Sequence, residues 1–207
     1  MYSPTHYQEN RPDLIFEAIR RYSFATVISM GKEGPFVSHL PLLLENDGSA
    51  PALVGHCARA NPQWRHFSEG QEITAIFHGP HAYISPAWYQ PQADNVPTWN
   101  YVAIHAKGTA QIIESSDQTF QILRTIVRHF ESSYGTNWDL PDPSNVELDA
   151  LVKAIVGFRI DIKDIQAKFK LSQKQPAADR SKVIEELPKV AGSEGSALVE
   201  YMRLVGI

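Results

Sequence analysis

Asn100-Tyr101-Val102-Ala103-Ile104-His105-Ala106-Lys107-Gly108-Thr109-Ala110-Gln111-Ile112-Ile113 decides the fold of this chain. Its side chains alternate. Val102, Ile104, Ala106, Ala110 and Ile112 take one face; Tyr101, His105, Lys107, Thr109 and Gln111 take the other. A period of two with one apolar face describes a half-buried antiparallel strand. Toward the N-terminus the same habit recurs. Residues 24–30, 36–45, 52–57 and 72–78 are β-rich, with turns at 31–34 and 46–48. Pro41 favours an edge or a bulge in the second of these. Gly79-Pro80 is expected to break the fourth, with 82–85 resuming it, and 88–97 reads as a polar, proline-rich loop.

Helices fall around this β-rich body. Asn10 is a candidate cap for a first helix with Pro12 in its opening turn and Ile15, Ala18, Ile19 and Tyr22 on one face. Ser115 with Gln118 forms a capping box before Phe120, Leu123, Val127 and Phe130, and Ser144 with Glu147 forms a second. Residues 156–165 return to strand, with Phe158, Ile160 and Ile162 inward and Arg159, Asp161 and Lys163 outward. Residues 175–179 read as a linker to two closing helices. The last carries Leu198, Tyr201, Met202 and Val205, with Ser193 as its cap. Antiparallel strands joined by short turns, with no βαβ repeat, predict a mainly β (α+β) barrel with peripheral helices and a helical C-terminal tail. The expected division is residues 1–174 as the barrel and 175–207 as the extension.

At 207 residues and 43% hydrophobic the chain can fill one core. A net charge of −4 argues against a surface built to neutralise nucleic-acid phosphates. The closing helix pair is the one helix-turn-helix candidate, and its Glu194 and Glu200 suit a major groove poorly. Cys57 is the single cysteine, which excludes an internal disulfide and reads as a small buried hydrophobe. No basic segment followed by an apolar run opens the sequence, and no stretch is apolar for long enough to span a bilayer, so a cytoplasmic protein is expected.

Gly55-His56-Cys57-Ala58-Arg59-Ala60-Asn61-Pro62-Gln63-Trp64 carries the chemistry. An apolar strand runs into a turn holding His56 and Arg59. Asn61 stands at a helix N-cap and Pro62 at the first helical position. A forked cation and free backbone N–H groups make an anion site, and hence a place for a phosphate. The bland alternative is a surface arginine and an ordinary capped helix. Ser38 and His39 are neighbours on a strand and point to opposite faces, so they are no catalytic pair. His78 and His81 flank Gly-Pro without a cysteine or carboxylate companion and do not make a metal site.

Several blocks together resemble the PaiB family of FMN-binding negative transcriptional regulators. They are residues 1–7, His39-Leu40-Pro41, the Gly55–Trp64 stretch, residues 79–89, Val96 to Tyr101, Ile155-Val156-Gly157-Phe158, and Lys168-Phe169-Lys170-Leu171-Ser172-Gln173. Lys174 departs from the family's usual Asn. The resemblance implies a split β-barrel homodimer with FMN at the interface, haem being the alternative ligand on related barrels. It implies cofactor contacts from Ser38, His39 and Leu40, from His56, Arg59 and Asn61, from Trp99 as ring platform, and from Lys170 and Gln173. Haem handling and direct repression of DNA are the alternative functions. Whether the chain is an enzyme stays open, since any chemistry would be the flavin's.

Overall fold

The computed structural model describes residues 1–46, 48, 50–68, 70–90, 95–141 and 146–207. Seven strands form one antiparallel sheet: β1 (Gln8–Glu9), β2 (Phe24–Gly31), β3 (Gly34–Glu45), β4 (Ala52–Ala58), β5 (Glu72–Ile84), β6 (Thr98–Ile113) and β7 (Ile155–Lys170). Their order is β1-β7-β4-β3-β2-β5-β6, and β6 also pairs with β7. The chain of neighbours therefore returns on itself, as the sequence predicts for a barrel. The helices are α1 (Pro12–Arg21), α2 (Trp64–Ser68), α3 (Ser116–Ser133), α4 (Val146–Lys153) and α5 (Ala177–Leu204).

β6 follows its alternation: Val102, Ile104, Ala106 and Ala110 are buried, while the intervening residues are partly or fully exposed. Gly108 sits in that buried row for a steric reason. A Cβ there would lie 2.1 Å from the carbonyl oxygen of Asp161 on β7. The two strands also meet through Gln111, whose Nε2 donates to Asp161 Oδ2 at 3.0 Å.

Two compact units emerge. One comprises residues 19–77 and 105–165. Its core holds Val27, Leu42, Leu53, Ile73, Phe67 and Phe158, the last two with ring centroids 4.8 Å apart. Leu43, Val54 and Ile126 form a further cluster packed by Ile122 and Phe130 of α3. The other comprises residues 1–18, 78–104 and 166–207. Phe169, Leu171, Val183, Leu187, Leu198 and Met202 are buried there, and Tyr201 meets Phe169 edge-on at 5.4 Å.

Several expectations need correction. Gly79-Pro80 does not break its strand: β5 runs unbroken, because proline's fixed φ suits extended backbone and Gly79 makes room for Val102, 2.8 Å from where its Cβ would be. Pro41 lies on no edge. It pairs with Phe24, and the pairing of β3 to β4 starts at Leu42, so its missing N–H falls at the changeover. Glu9, not Asn10, holds the start of α1, its Oε1 accepting from the N–H of Asn10 and of Arg11 at 2.9 and 2.8 Å. On α3 the buried face is Thr119, Phe120 and Ile126, with Leu123 and Val127 only half buried. The capping role of Ser115 holds, its Oγ accepting from the Gln118 N–H. Ser144 lies outside the described residues, as does Asp47 of the 46–48 turn and part of the 88–97 loop.

The last strand extends through Lys170, well past residue 165. The expected linker 175–179 is largely helix: α5 begins at Ala177, and buried Asp179 accepts from the Gln90 N–H at 3.1 Å. The two closing helices are present within α5, parted at Gly192, where φ is 53° and ψ −128°. Beyond the break, Gly195 sits so close to the Leu187 carbonyl that a Cβ would be 2.2 Å from its oxygen. No helix among the described residues is long and apolar enough to cross a membrane.

Candidate functional site

The Gly55–Trp64 turn belongs to the unit of residues 19–77 and 105–165. β4 delivers it, paired to β7 from Ala52↔Asp161 to Ala58↔Ile155. Gly55 is demanded by packing, since a Cβ would meet Leu42 Cδ2 at 2.6 Å. Asn61 caps a turn rather than the helix, and Pro62 is not the first helical residue: the Asn61 Oδ1 accepts from the Gln63 N–H at 3.0 Å. Its Nδ2 donates to Ser38 Oγ at 2.9 Å, so two of the predicted residues are joined directly. The helix that follows is only Trp64–Ser68; Asn61, Pro62 and Gln63 form a turn before it. A five-residue helix has little dipole to offer, so the helix-terminus part of the expected anion site is weak.

Arg59 is exposed, and its backbone N–H donates to Ala154 O at 2.8 Å. Its Nε donates to Lys153 O at 2.8 Å and its Nη2 to Ile155 O at 2.9 Å. The guanidinium thus satisfies the last carbonyl of α4, where a cation is favoured, and the first of β7. Nη1 is the part of the fork these bonds leave. His56 is half buried, and burial pushes its imidazole pKa down, so the ring is neutral near pH 7. Its Nδ1 is buried without a partner among the described residues. His39 is exposed on β3, stacked 6.3 Å from the ring of Phe24, and Leu40 is half buried. Cys57 is buried as expected, and desolvation raises its thiol to about 11.

Gln63 was not legible in the sequence. It is fully buried, and its Nε2 lies 3.1 Å from each of Val27 O, Ser29 Oγ and Phe36 O. Ser29 Oγ is also 2.8 Å from His66 Nδ1. A cavity of about 530 Å³ opens next to this network, lined by the 31–36 hairpin turn with Pro62, Arg65, His66 and Gln71.

The remaining predicted residues lie in the unit of residues 1–18, 78–104 and 166–207. Trp99 is half exposed, with His81 and Tyr83 each 6.2 Å away by ring centroid. These aromatics line a cleft of about 690 Å³ with Trp88, Val190 and Glu194. His81 donates its backbone N–H to Glu194 Oε2 at 3.1 Å, and its Nδ1 lies 3.8 Å from the same oxygen. Gln173 turns inward: its Oε1 accepts from the Leu171 N–H at 2.8 Å and its Nε2 donates to Phe169 O. Both ends of its amide brace the 171–173 bend. Lys168, whose sequence context suits a phosphate contact and a solvated strand end equally, is 7% exposed. It sits against the rings of Tyr2, Tyr7 and Tyr101 at 5.5, 6.0 and 5.2 Å and donates to Tyr2 O at 3.2 Å. Lys170 reaches Thr98 Oγ1 and lies 6.0 Å from the Tyr7 ring.

An antiparallel seven-strand sheet whose neighbours close through β6 and β7 is a split-barrel fold. The chain resembles the flavocytochrome Anf3 from Azotobacter vinelandii with a TM-score of 0.63 at 16% identity, over 84% of this chain and 75% of that one. It resembles the FAD and heme binding protein from Mycobacterium smegmatis with a TM-score of 0.61 at 14% identity, over 84% and 78%. Residues 1–164 match the family described as "Putative FMN-binding domain". The protease synthase and sporulation protein PAI 2 of Bacillus subtilis (strain 168) is 35% identical over 204 residues, 98% of this chain and 96% of that protein. An uncharacterized protein of Emericella nidulans, AN0679, is 30% identical over 201 residues, 80% of each. The chain belongs to this FMN-binding-domain family, the one that the motifs quoted above resemble.

Proposed function

We propose that the chain is a cytoplasmic FMN-binding protein of this family that works as a homodimer, with the Gly55–Trp64 turn as part of its flavin site. FMN supplies redox chemistry when bound; the protein holds and orients it. One observation carries the reading. His56 Nδ1 is a buried ring nitrogen with no partner among the described residues, near the end of the strand that leads into the Ser38–Asn61 hydrogen bond. Buried polar atoms are satisfied in the great majority of cases, so an orphan in a family-matched turn points to a ligand group. A neutral imidazole donates or accepts at Nδ1 according to its tautomer, which suits a ribityl hydroxyl or a phosphate oxygen.

In this reading Arg59 offers Nη1, Asn61 and Ser38 offer polar groups fixed by their mutual bond, and His39 and Leu40 continue the same strand.

The homodimer reading is supported by the outer face of the β2–β3 hairpin. Phe24, Met30 and Val37 are 65%, 57% and 48% exposed there. They stand on facing strands, Phe24 opposite Pro41, Ile28 opposite Val37 and Met30 opposite Pro35. Ile28, Val37, Met30 and Pro35 form an apolar patch, parted from Phe24 and Pro41 by the Thr26–His39 pair, and an exposed patch of this kind suits a two-fold pairing.

The test is a fluorescence titration with FMN, run beside sedimentation. Saturable quenching is expected for the parent protein, with weaker binding in Arg59→Ala and in His56→Leu. Val37→Glu is expected to shift the protein toward monomer. Absent quenching would remove the FMN reading, and a monomeric parent at micromolar concentration would remove the homodimer.

A further inference from the structure

Lys168 and Lys170 lie on the same face of β7, two residues apart. Each approaches the ring of Tyr7 within 6.0 Å. Among the described residues, no carboxylate makes an ion pair with Lys168, Lys170 or Lys174. Lys168 is, with Glu9 and Asp179, one of the buried charges among the described residues, and one backbone acceptor and three phenol rings lie against it. Neighbouring groups register the excess of positive charge. Burial and the charge of Lys168 both push Lys170 down. Burial, then Lys174 and Lys168, push His6 down. Taking like charges out of water side by side is costly, and proteins ordinarily pair such charges.

A pocket of about 220 Å³ opens beside Lys170, lined also by Tyr7, Thr98, Asn100, Ser172 and Lys174. Sites for whole small molecules run from roughly 300 Å³ upward, so this one is sized for a single group. Asn100 is fully buried and held at one end of its carboxamide by Ser172 Oγ at 2.9 Å. That end is Nδ2, which donates to the serine; the other, Oδ1, has no partner among the described residues. The Ser172 hydroxyl can donate as well as accept, so the amide can turn its NH₂ toward an anion. Ser172 itself has φ 65°, the one positive φ outside glycine among the described residues. Such backbone persists where its surroundings hold it, often at ligand sites.

We infer that this pocket binds a phosphate monoester or inorganic phosphate, with Lys170 and Lys174 as the cationic contacts and Asn100 as the neutral donor. Lysine serves phosphate as a compact point charge. The site stands on its own residues and does not depend on the turn at Arg59. The phosphate has two sources: the end of FMN, or a separate phosphorylated molecule.

The experiment is calorimetric titration of the full-length protein with inorganic phosphate, and separately with FMN and with riboflavin, which lacks the phosphate. Lys170→Met and Lys174→Met should each weaken phosphate binding about tenfold or more. Lys170→Arg should keep it within about threefold, because the charge remains. Lys174 is exposed, so its replacement leaves the fold undisturbed even where Lys170→Met proves unstable. If the methionine variants also lose the preference for FMN over riboflavin, the phosphate is the flavin's. If they lose inorganic phosphate but keep that preference, the site serves a separate phosphorylated molecule. Parent protein that binds no phosphate, or methionine variants that bind it as the parent does, would overturn the inference.

Discussion

Gly108→Ala tests the closure of β6 against β7. The added methyl would sit 2.1 Å from Asp161 O, 2.8 Å from its carbonyl carbon and 3.0 Å from Ile160 Cγ2. Ordinary contact begins at 3.4 Å, so the strands would have to part by more than an ångström. A backbone carbonyl fixed in a sheet has no rotamer through which to retreat. The cost therefore falls near the top of the overpacking range, about 3 kcal/mol. Loss of glycine's freedom in the unfolded chain offsets about 0.4–1 kcal/mol. The net loss is about 2–3 kcal/mol, or about 5–10 °C in melting temperature for a chain of this size. Gly157→Ala is the control, because its methyl meets the Thr119 side chain, with the nearest atom at 2.9 Å. A side chain can swing aside, so this variant should stay within about 1 kcal/mol of the parent. Urea unfolding of the three proteins reads the difference. A Gly108→Ala midpoint equal to that of Gly157→Ala would refute the close approach of the two strands.

Three further outcomes follow from individual groups. His56 has its pKa lowered from 6.5 by burial, so below that pH the unfolded chain takes up a proton that the folded chain refuses. The parent should lose stability as pH falls through and below 6.5, and His56→Leu should lose less over the same range in parallel urea titrations. With the Cys57 thiol near 11 against an ordinary 9.0, its thiolate fraction at pH 8 is about a hundredfold lower, and modification by a disulfide reagent should be at least that much slower than in urea. Gly192→Ala forces a methyl into φ 53°, ψ −128°, and should cost about 1–3 kcal/mol by denaturant unfolding, whereas no loss would mean that α5 runs straight through.

Local patterning was the legible part of this molecule. The alternation in β6, the Ser115 cap, the Asn61 bond to the Gln63 N–H and the burial of Cys57 all depend on residues near one another in the chain. What failed was reading punctuation without its partners. Gly79-Pro80 looks like a break until Val102 is seen to need the space, and Pro41 looks like an edge until the pairing is seen to change strands there. The site divided the same way. Arg59 and Asn61 were found by residue type and spacing, but the carbonyls that take up most of the arginine fork come from residues 153–155. Gln63 gave no signal, because a glutamine after Asn-Pro looks like surface; only the convergence of Val27, Ser29 and Phe36 makes it a buried hub. For Lys168 a phosphate contact and a solvated strand end were equally legible, because exposed lysines are the norm. Its cage is built from Tyr2, Tyr7 and Tyr101, remote in sequence from the strand that carries it.

The most direct test of the central claim is the absorption spectrum of the protein as purified, followed by identification of whatever is released on denaturation. The account predicts flavin bands and released FMN, restored by adding FMN to stripped protein. A colourless preparation that takes up no FMN, or one whose spectrum is a haem Soret band alone, would contradict it.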